Sequence, residues 1–144
     1  MFKLISKLLW NIWSLHFTLA KRLRLGNSQE ELVISSIFLT TLLFSIYFAS
    51  TLFFLRIETR YSLDIKILSL FFFMLTSTIQ IIYLFGKAKR YQQIKEIINS
   101  LLTFTLFFLI WFLTLILLGV SMLFQYFDGS IEKFIKYISS YERI

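Results

Sequence analysis

The sequence predicts an all-α integral membrane protein with three transmembrane helices and with amphipathic helices in the membrane interface. Two observations predict this fold class. Of the 144 residues 58% are hydrophobic, with 18 Phe among them, whereas a typical soluble domain is about half apolar. Three stretches of at least 19 residues carry no charged side chain, and roughly 20 helical residues cross a hydrocarbon core. This composition excludes a disordered chain and favours one membrane domain, 1–144.

The segment 2–25 precedes the first span and is predicted to form an amphipathic helix. Its apolar residues recur at helical spacing and form one stripe: Phe2, Ile5, Leu9, Ile12, Leu15, Leu19 and Leu23. Its basic residues are Lys3, Lys7, Lys21, Arg22 and Arg24. This pattern is typical of a helix on the membrane surface, where we expect the basic side chains to contact anionic lipid headgroups. The alternative is a secretory signal peptide, but polar residues break the apolar stretch and no small-residue cleavage pattern precedes Lys21.

The first predicted span, 32–55, has a recognisable start. Ser28 is followed three residues later by Glu31, the spacing of a capping box, and Gly26 with its neighbour Asn27 is expected to end the preceding helix. Within the span, small side chains recur every four residues at Thr41, Ser45 and Ala49. This stripe predicts the face along which a neighbouring helix packs.

The second predicted span, 67–85, ends before Gly86, which we expect to adopt the left-handed conformation of a helix C-cap. Three polar residues share one side of this span: Ser69, Thr76 and Gln80. The following segment, 91–101, has apolar residues at helical spacing and is expected to form an amphipathic helix that continues into the third span.

The third predicted span, 101–127, is long enough to need tilting in the bilayer. The turn residues Asp128, Gly129 and Ser130 follow it, and the apolar spacing beyond them predicts an amphipathic helix over 131–141. None of the three spans alternates with the period of two that membrane β-strands require. Helices are therefore the predicted spanning elements.

The distribution of Lys and Arg predicts the orientation. Nine of them flank the side that holds the N-terminus and the loop 86–100, and six flank the side that holds the loop 56–66 and the C-terminal tail. Because cytoplasmic loops carry the excess, we expect a cytoplasmic N-terminus, in a bacterial inner membrane. These positions account for the net charge of +7 without a nucleic-acid partner, and nothing resembles a nucleic-acid-binding fold.

The residues predict neither an enzyme nor a cofactor or metal site. The sequence contains no Cys, which excludes cysteine-ligated zinc and iron–sulfur centres. The spans contain no Asp, Glu, Lys, Arg or His of the kind that lines a transport pathway, and no hydrolase, NTPase or metalloprotease motif occurs. His16, the one histidine, has no carboxylate within a helical turn and is expected in the membrane interface.

Two aromatic residues lie deep in their spans. Tyr47 and Trp111 carry polar atoms at depths where the bilayer offers no hydrogen-bond partner. We therefore expect protein neighbours around them.

Two stretches resemble a known family of membrane proteins. Residues 19–32 read LAKRLRLGNSQEEL, a basic leucine-rich turn with a glycine and a capped span. Residues 84–94 read LFGKAKRYQQI, a glycine-containing loop followed by an aromatic residue. In this order they resemble the bacterial Yip-domain proteins, named after Ypt/Rab-interacting membrane proteins, whose members usually carry four or five spans. The resemblance implies a role in membrane organisation or trafficking, with no catalytic residues.

The leading expectation is a non-enzymatic multi-pass membrane protein that organises or scaffolds the membrane. Its expected partners are the bilayer, anionic lipid headgroups, and a membrane protein or a second copy of itself. The alternative is an accessory subunit of a larger membrane complex. A third class, holin-like pore formers, often ends in a densely basic tail, whereas residues 128–144 carry equal numbers of basic and acidic side chains.

Overall fold

The computed structural model describes residues 1–97, 100–128 and 130–141, and within these ranges it is helical with no β-strand. The α-helices are α1 (Phe2–Arg22), α2 (Gln29–Phe54), α3 (Ile57–Tyr61), α4 (Ile65–Phe85), α5 (Ser100–Phe127) and α6 (Ile131–Tyr141). A short 3₁₀ helix, Arg90–Gln93, lies between α4 and α5. The predicted all-α class is confirmed.

Three helices, α2, α4 and α5, are long and apolar enough to cross a membrane. Each begins and ends within three residues of the corresponding predicted span. The shortest, α4, has 21 residues, and at about 1.5 Å per residue it matches a hydrocarbon core of about 30 Å. The chain is therefore a membrane protein with three helices that can span the bilayer, as predicted.

Helix α2 occupies the centre of the bundle. Buried residues make up 44% of its most apolar window but only 11% in α4 and in α5. It packs against α1, α4 and α5, whereas α4 and α5 turn most of their large apolar side chains outward. An outward apolar surface is stable in lipid, so the pattern agrees with a small bundle surrounded by bilayer.

The C-terminal half of α1 lies inside this bundle. Every residue from Leu15 to Ala20 is buried, while Phe2 near the other end is 89% exposed. This differs from the prediction of a surface helix over 2–25 whose whole apolar stripe faces lipid. Protein covers Leu15 and Leu19 of that stripe and also the polar residues between them. The reason is that these polar residues have hydrogen-bond partners inside the bundle: His16 bonds to the spanning helices, and Thr18 Oγ1 donates to Ser14 O and accepts from Ile97 N.

The turn between α1 and α2 is closed by backbone hydrogen bonds. Leu25 N donates to Ala20 O at 2.9 Å and Arg24 N donates to Lys21 O at 3.2 Å, the pattern of a Schellman motif. Arg24 holds the left-handed position, with φ of 55°. Helix α1 thus ends at Arg22, before the predicted break at Gly26, because Arg24 adopts the left-handed conformation that reverses the direction of the chain.

The predicted cap at the start of α2 is present, with the return hydrogen bond from Glu31 made to the residue before Ser28. Ser28 Oγ accepts from Glu31 N at 3.2 Å, and Glu31 Oε2 accepts from Asn27 N at 2.7 Å. Gly26 approaches this cap so closely that a Cβ on it would stand 2.7 Å from Glu31 Cβ and 3.1 Å from Leu32 N. The glycine is therefore needed for space.

We expect Gly26→Ala to lower the free energy of unfolding by about 1–2 kcal/mol, since the new methyl group must displace the cap. The matched control is Gly119→Ala within α5, where an added Cβ meets nothing within 4 Å. Because alanine favours a helix over glycine, this control should be neutral or stabilising. Unfolding in mixed micelles measures both variants, and equal loss in the two would contradict the steric explanation.

The segment between α4 and α5 differs from the predicted amphipathic helix. Gly86 ends α4 as expected, but with φ of −64° and ψ of −173° it is extended and not left-handed. Residues 94–97 have no regular structure, and residues 98 and 99 lie outside the described ranges. The apolar side chains Tyr91 and Ile94 are nevertheless buried in the core cluster that includes Trp13 and Val33. The conformation of this segment is therefore determined by the burial of Tyr91 and Ile94 against α1 and α2. The helical spacing of its apolar residues does not determine it.

The opposite end of the bundle carries α3 and the corner between α5 and α6. Arg56 and Lys133 both reach the carboxylate of Asp128, at 2.8 Å and 3.3 Å. The hydrogen bond from Lys133 and the charge of Arg56 hold the pKa of Asp128 below its usual range. Helix α6 spans 131–141 as predicted, and its residues are exposed. Its place in the membrane interface remains a prediction.

Candidate functional site

A buried polar group at the centre of the bundle is formed around His16. Its Nδ1 lies 2.8 Å from Thr40 Oγ1 of α2, and its Nε2 accepts from Trp111 Nε1 of α5 at 3.3 Å. The imidazole has no exposed surface, and Phe107 contacts it edge to face with ring centroids 6.2 Å apart. One side chain of α1 therefore connects two spanning helices.

The hydrogen bonds define the state of the imidazole. An indole N–H can only donate, so Nε2 of His16 must be the unprotonated acceptor. The proton then resides on Nδ1 and is donated to Thr40 Oγ1. The ring is the neutral Nδ1–H tautomer with both nitrogens used, and this arrangement suits a group surrounded by apolar side chains.

The position of this group along the helices corrects the expectation of an interfacial histidine. Thr40 is the twelfth of 26 residues in α2, and Trp111 is the twelfth of 28 in α5. Both helices cross in the same direction, so His16 lies about 17 Å from the ends at which they begin. That depth is close to half-way through the bundle. The predicted need of the deep Trp111 for a protein partner is thereby met, whereas Tyr47 is 38% exposed on the outside of α2.

A second polar group lies one turn along α1. Trp13 Nε1 donates to Gln80 Oε1 at 2.8 Å, and Gln80 Nε2 donates to Thr41 Oγ1 at 2.8 Å. Ser36 Oγ of α2 also donates to the backbone carbonyl of Trp13 at 2.8 Å. Together the His16 and Gln80 groups connect α1 with all three spanning helices. Sequence patterns indicated the polar side of α4 that contains Gln80, but not its partner on α1.

The predicted packing stripe on α2 faces the interior of the bundle. Thr41 has no exposed surface and accepts a hydrogen bond from the Gln80 amide, and Ser45 is 8% exposed. Ala49 is half-buried. The Ser45 hydroxyl has no hydrogen-bond partner among the described residues. The stripe therefore combines close packing with one hydrogen bond between helices.

The five predicted surface cations fall into two groups. Lys21 pairs with Glu96, and Arg22 stands over the ring of Phe104 at 5.2 Å from its centroid, so both attach α1 to the α4–α5 segment and α5. Lys3, Lys7 and Arg24 are exposed, and so is Lys21 beside Glu96. Arg24 lies in the turn next to the start of α2. Lys3 and Lys7 lie instead on the half of α1 that faces Phe44 and Thr76, about half-way along α2 and α4, which differs from their predicted place at the membrane surface.

An apolar cavity of about 400 Å³ opens between the N-terminal half of α1 and the C-terminal half of α4. Its wall includes Ile5, Leu9, Phe44, Ile79 and Tyr83. Ligand pockets commonly measure about 300–1,000 Å³ and are mostly apolar.

No group of three or more His, Asp or Glu within the described ranges could hold a metal ion. Comparison of the chain with protein-family models, with curated proteins and with solved structures finds no match.

Proposed function

We propose that this chain is a non-enzymatic membrane protein that organises the bilayer, as a compact three-span scaffold that recruits anionic lipid at one surface. The observation that carries the proposal is that the polar side chains in its core form hydrogen bonds between helices. His16 forms hydrogen bonds with both Trp111 and Thr40, and Gln80 forms hydrogen bonds with both Trp13 and Thr41. Both groups join helix to helix, which is the role of a structural framework.

The surface charge supports the lipid part of the proposal. Arg24, Lys87 and Lys89 are exposed on the two turns at the end of the bundle where α2 begins and α4 ends. Each basic residue near an anionic membrane surface contributes roughly 1 kcal/mol of attraction. With the excess of Lys and Arg on this side, the proposal places the N-terminus in the cytoplasm of a bacterial cell. The resemblance to Yip-domain proteins agrees with a role in membrane organisation.

The test is purification from native membranes in polymer-bounded lipid discs, followed by measurement of lipid composition. We expect enrichment of anionic lipid over the bulk membrane, and loss of most of it in the triple variant Arg24→Gln, Lys87→Gln, Lys89→Gln. The matched control, Arg60→Gln with Lys66→Gln and Lys136→Gln, removes the same charges from the opposite side and should retain the enrichment. Bulk composition around the unaltered protein would contradict the proposal.

A second function, accessory subunit of a larger membrane complex, is favoured by one observation. Tyr47 is 38% exposed on the outside of α2 although it lies well within the span. A phenol hydroxyl in the hydrocarbon favours a hydrogen-bond partner on a neighbouring protein. The same discs distinguish the two functions, because a subunit carries a stoichiometric partner that Tyr47→Phe weakens. A scaffold of the kind proposed is recovered alone or with copies of itself.

A further inference from the structure

The N-terminal half of α1 lies beside the middle of the spanning helices. Phe2, Ile5 and Ser6 line the apolar cavity together with Phe44 of α2 and Thr76 of α4. Thr76 is the twelfth of 21 residues in α4, so it stands roughly 15 Å from either end of that helix. This half of α1 is therefore at the depth of the hydrocarbon and not at a membrane surface.

The outer side of this half carries two lysines and forms a surface that we call the lysine face, made of Lys3, Leu4, Lys7 and Leu8. The two lysines are one helical turn apart and thus share one side of α1, and both are exposed. Neither ammonium group has an ion pair or a hydrogen bond within the ranges that the structure describes. Leu4 and Leu8 are 74% and 58% exposed, so the face combines unpaired cations with an uncovered apolar surface.

An ammonium group in contact with hydrocarbon is costly, and ionisable residues at this depth are usually paired with an opposite charge. Snorkelling brings a lysine to the headgroups only where it lies close to the interface, and Lys3 and Lys7 do not. A carboxylate on a helix that packs against the lysine face would pair with them, and the apolar residues of that helix would cover Leu4 and Leu8.

A second copy of this chain cannot supply that carboxylate. Residues 32–55, 67–85 and 101–127 contain no Asp or Glu. A twofold contact between two lysine faces would also bring like charges together, which is unfavourable. The complementary helix therefore belongs to a different membrane protein.

We propose that the lysine face binds a spanning helix of a different membrane protein, one that carries Asp or Glu about half-way across the bilayer. The proposal rests on the second function given above, accessory subunit of a membrane complex, and it names the chemistry of the partner. The surface it identifies is on α1 and is separate from Tyr47 of α2.

The first test uses a synthetic polyleucine helix of about 20 residues with one glutamate at its centre and a nitroxide next to it, reconstituted with the chain in phosphatidylcholine vesicles. Trp10 lies beside Lys7, so we expect this helix to quench the tryptophan fluorescence of the chain. The same helix with leucine in place of glutamate should quench it little. Lys3→Gln with Lys7→Gln should weaken the association roughly 10-fold, whereas Lys3→Arg with Lys7→Arg keeps both charges and should retain it. Equal quenching by the two helices would overturn the proposal.

The second test measures the depth of the lysine face. The sequence contains no Cys, so the single variant Leu8→Cys can be labelled with a membrane-impermeant maleimide while both lysines stay in place. In the vesicles without added helix we expect almost no labelling of Leu8→Cys, in contrast to Arg24→Cys in the turn before α2. Fast labelling at both positions would place this half of α1 in water and would contradict the proposal.

Native discs separate failure of the lysine face from failure of the subunit function. Lys3→Gln with Lys7→Gln should remove the stoichiometric partner. The control Lys87→Gln with Lys89→Gln removes two exposed cations at the end of α4 and should retain it. A partner that survives the loss of both lysines but is lost with Tyr47→Phe would reject the lysine face and leave the subunit function standing.

Discussion

Replacing His16 by leucine is expected to lower the free energy of unfolding by about 3 kcal/mol. The substitution removes the acceptor of Trp111 Nε1–H and the donor to Thr40 Oγ1. Thr40 is fully buried and Trp111 is half-buried in a spanning helix, so neither group gains a partner. An orphaned buried polar group costs about 1–3 kcal/mol, and hydrogen bonds between helices in membranes contribute about 1–2 kcal/mol each. Equilibrium unfolding in bicelles or mixed micelles measures the change.

The control for this variant is Asn11→Leu, an exposed polar residue of the same helix. It should change stability by less than about 0.5 kcal/mol. The double variant His16→Leu with Trp111→Phe removes both members of one hydrogen bond and should recover part of the loss. A full loss in the double variant, or none in His16→Leu, would contradict the structural role of the imidazole.

Gln80→Leu has the second largest expected effect, a loss of about 2–3 kcal/mol. The substitution leaves Trp13 Nε1–H without an acceptor and Thr41 Oγ1 without its donor, so α4 loses its polar connections to α1 and α2. The same unfolding measurement applies. The matched control is Thr78→Val, at an exposed position of α4 within one helical turn of Gln80, and it should be close to neutral.

A compensating variant keeps this prediction testable. Trp13→Phe removes the orphaned N–H but retains the aromatic surface that stacks on Tyr83, with ring centroids 5.9 Å apart in the native protein. Gln80→Leu with Trp13→Phe should therefore be more stable than Gln80→Leu alone. If the double variant is as unstable as the sum of the two single variants, the Trp13–Gln80 hydrogen bond does not connect the helices.

The spanning helices were predictable because their signal is local. A run without charges that is long enough to cross a bilayer must form a helix, since every backbone group needs a partner inside the segment. The capping box at Ser28 and Glu31 and the helix over 131–141 depend equally on neighbours in sequence, and both occur where predicted. Prediction from local sequence failed at two helix ends, where Gly86 is extended and Arg24 is left-handed. Backbone angles at helix ends respond to the packing around them.

The candidate site was less predictable. Its clearest sequence signals were polar residues inside apolar helices, Gln80 and the stripe that begins at Thr41, together with Trp111 at an unfavourable depth. The partners of Gln80 and Trp111 on α1, Trp13 and His16, lie 67 and 95 residues from them in sequence. No periodicity within one helix can reveal a contact at that separation.

By itself the sequence determined the all-α class, the three spans, the cap of α2 and the unequal distribution of charge, because length, hydropathy and capping act within one segment. Only the tertiary structure decided that half of α1 enters the bundle, that residues 94–97 are irregular, and that His16 is a central hydrogen-bonding residue. The physical reason is the same in each case. An amphipathic helix buries its polar residues wherever the spanning helices provide partners, and their side chains converge only after the bundle has formed.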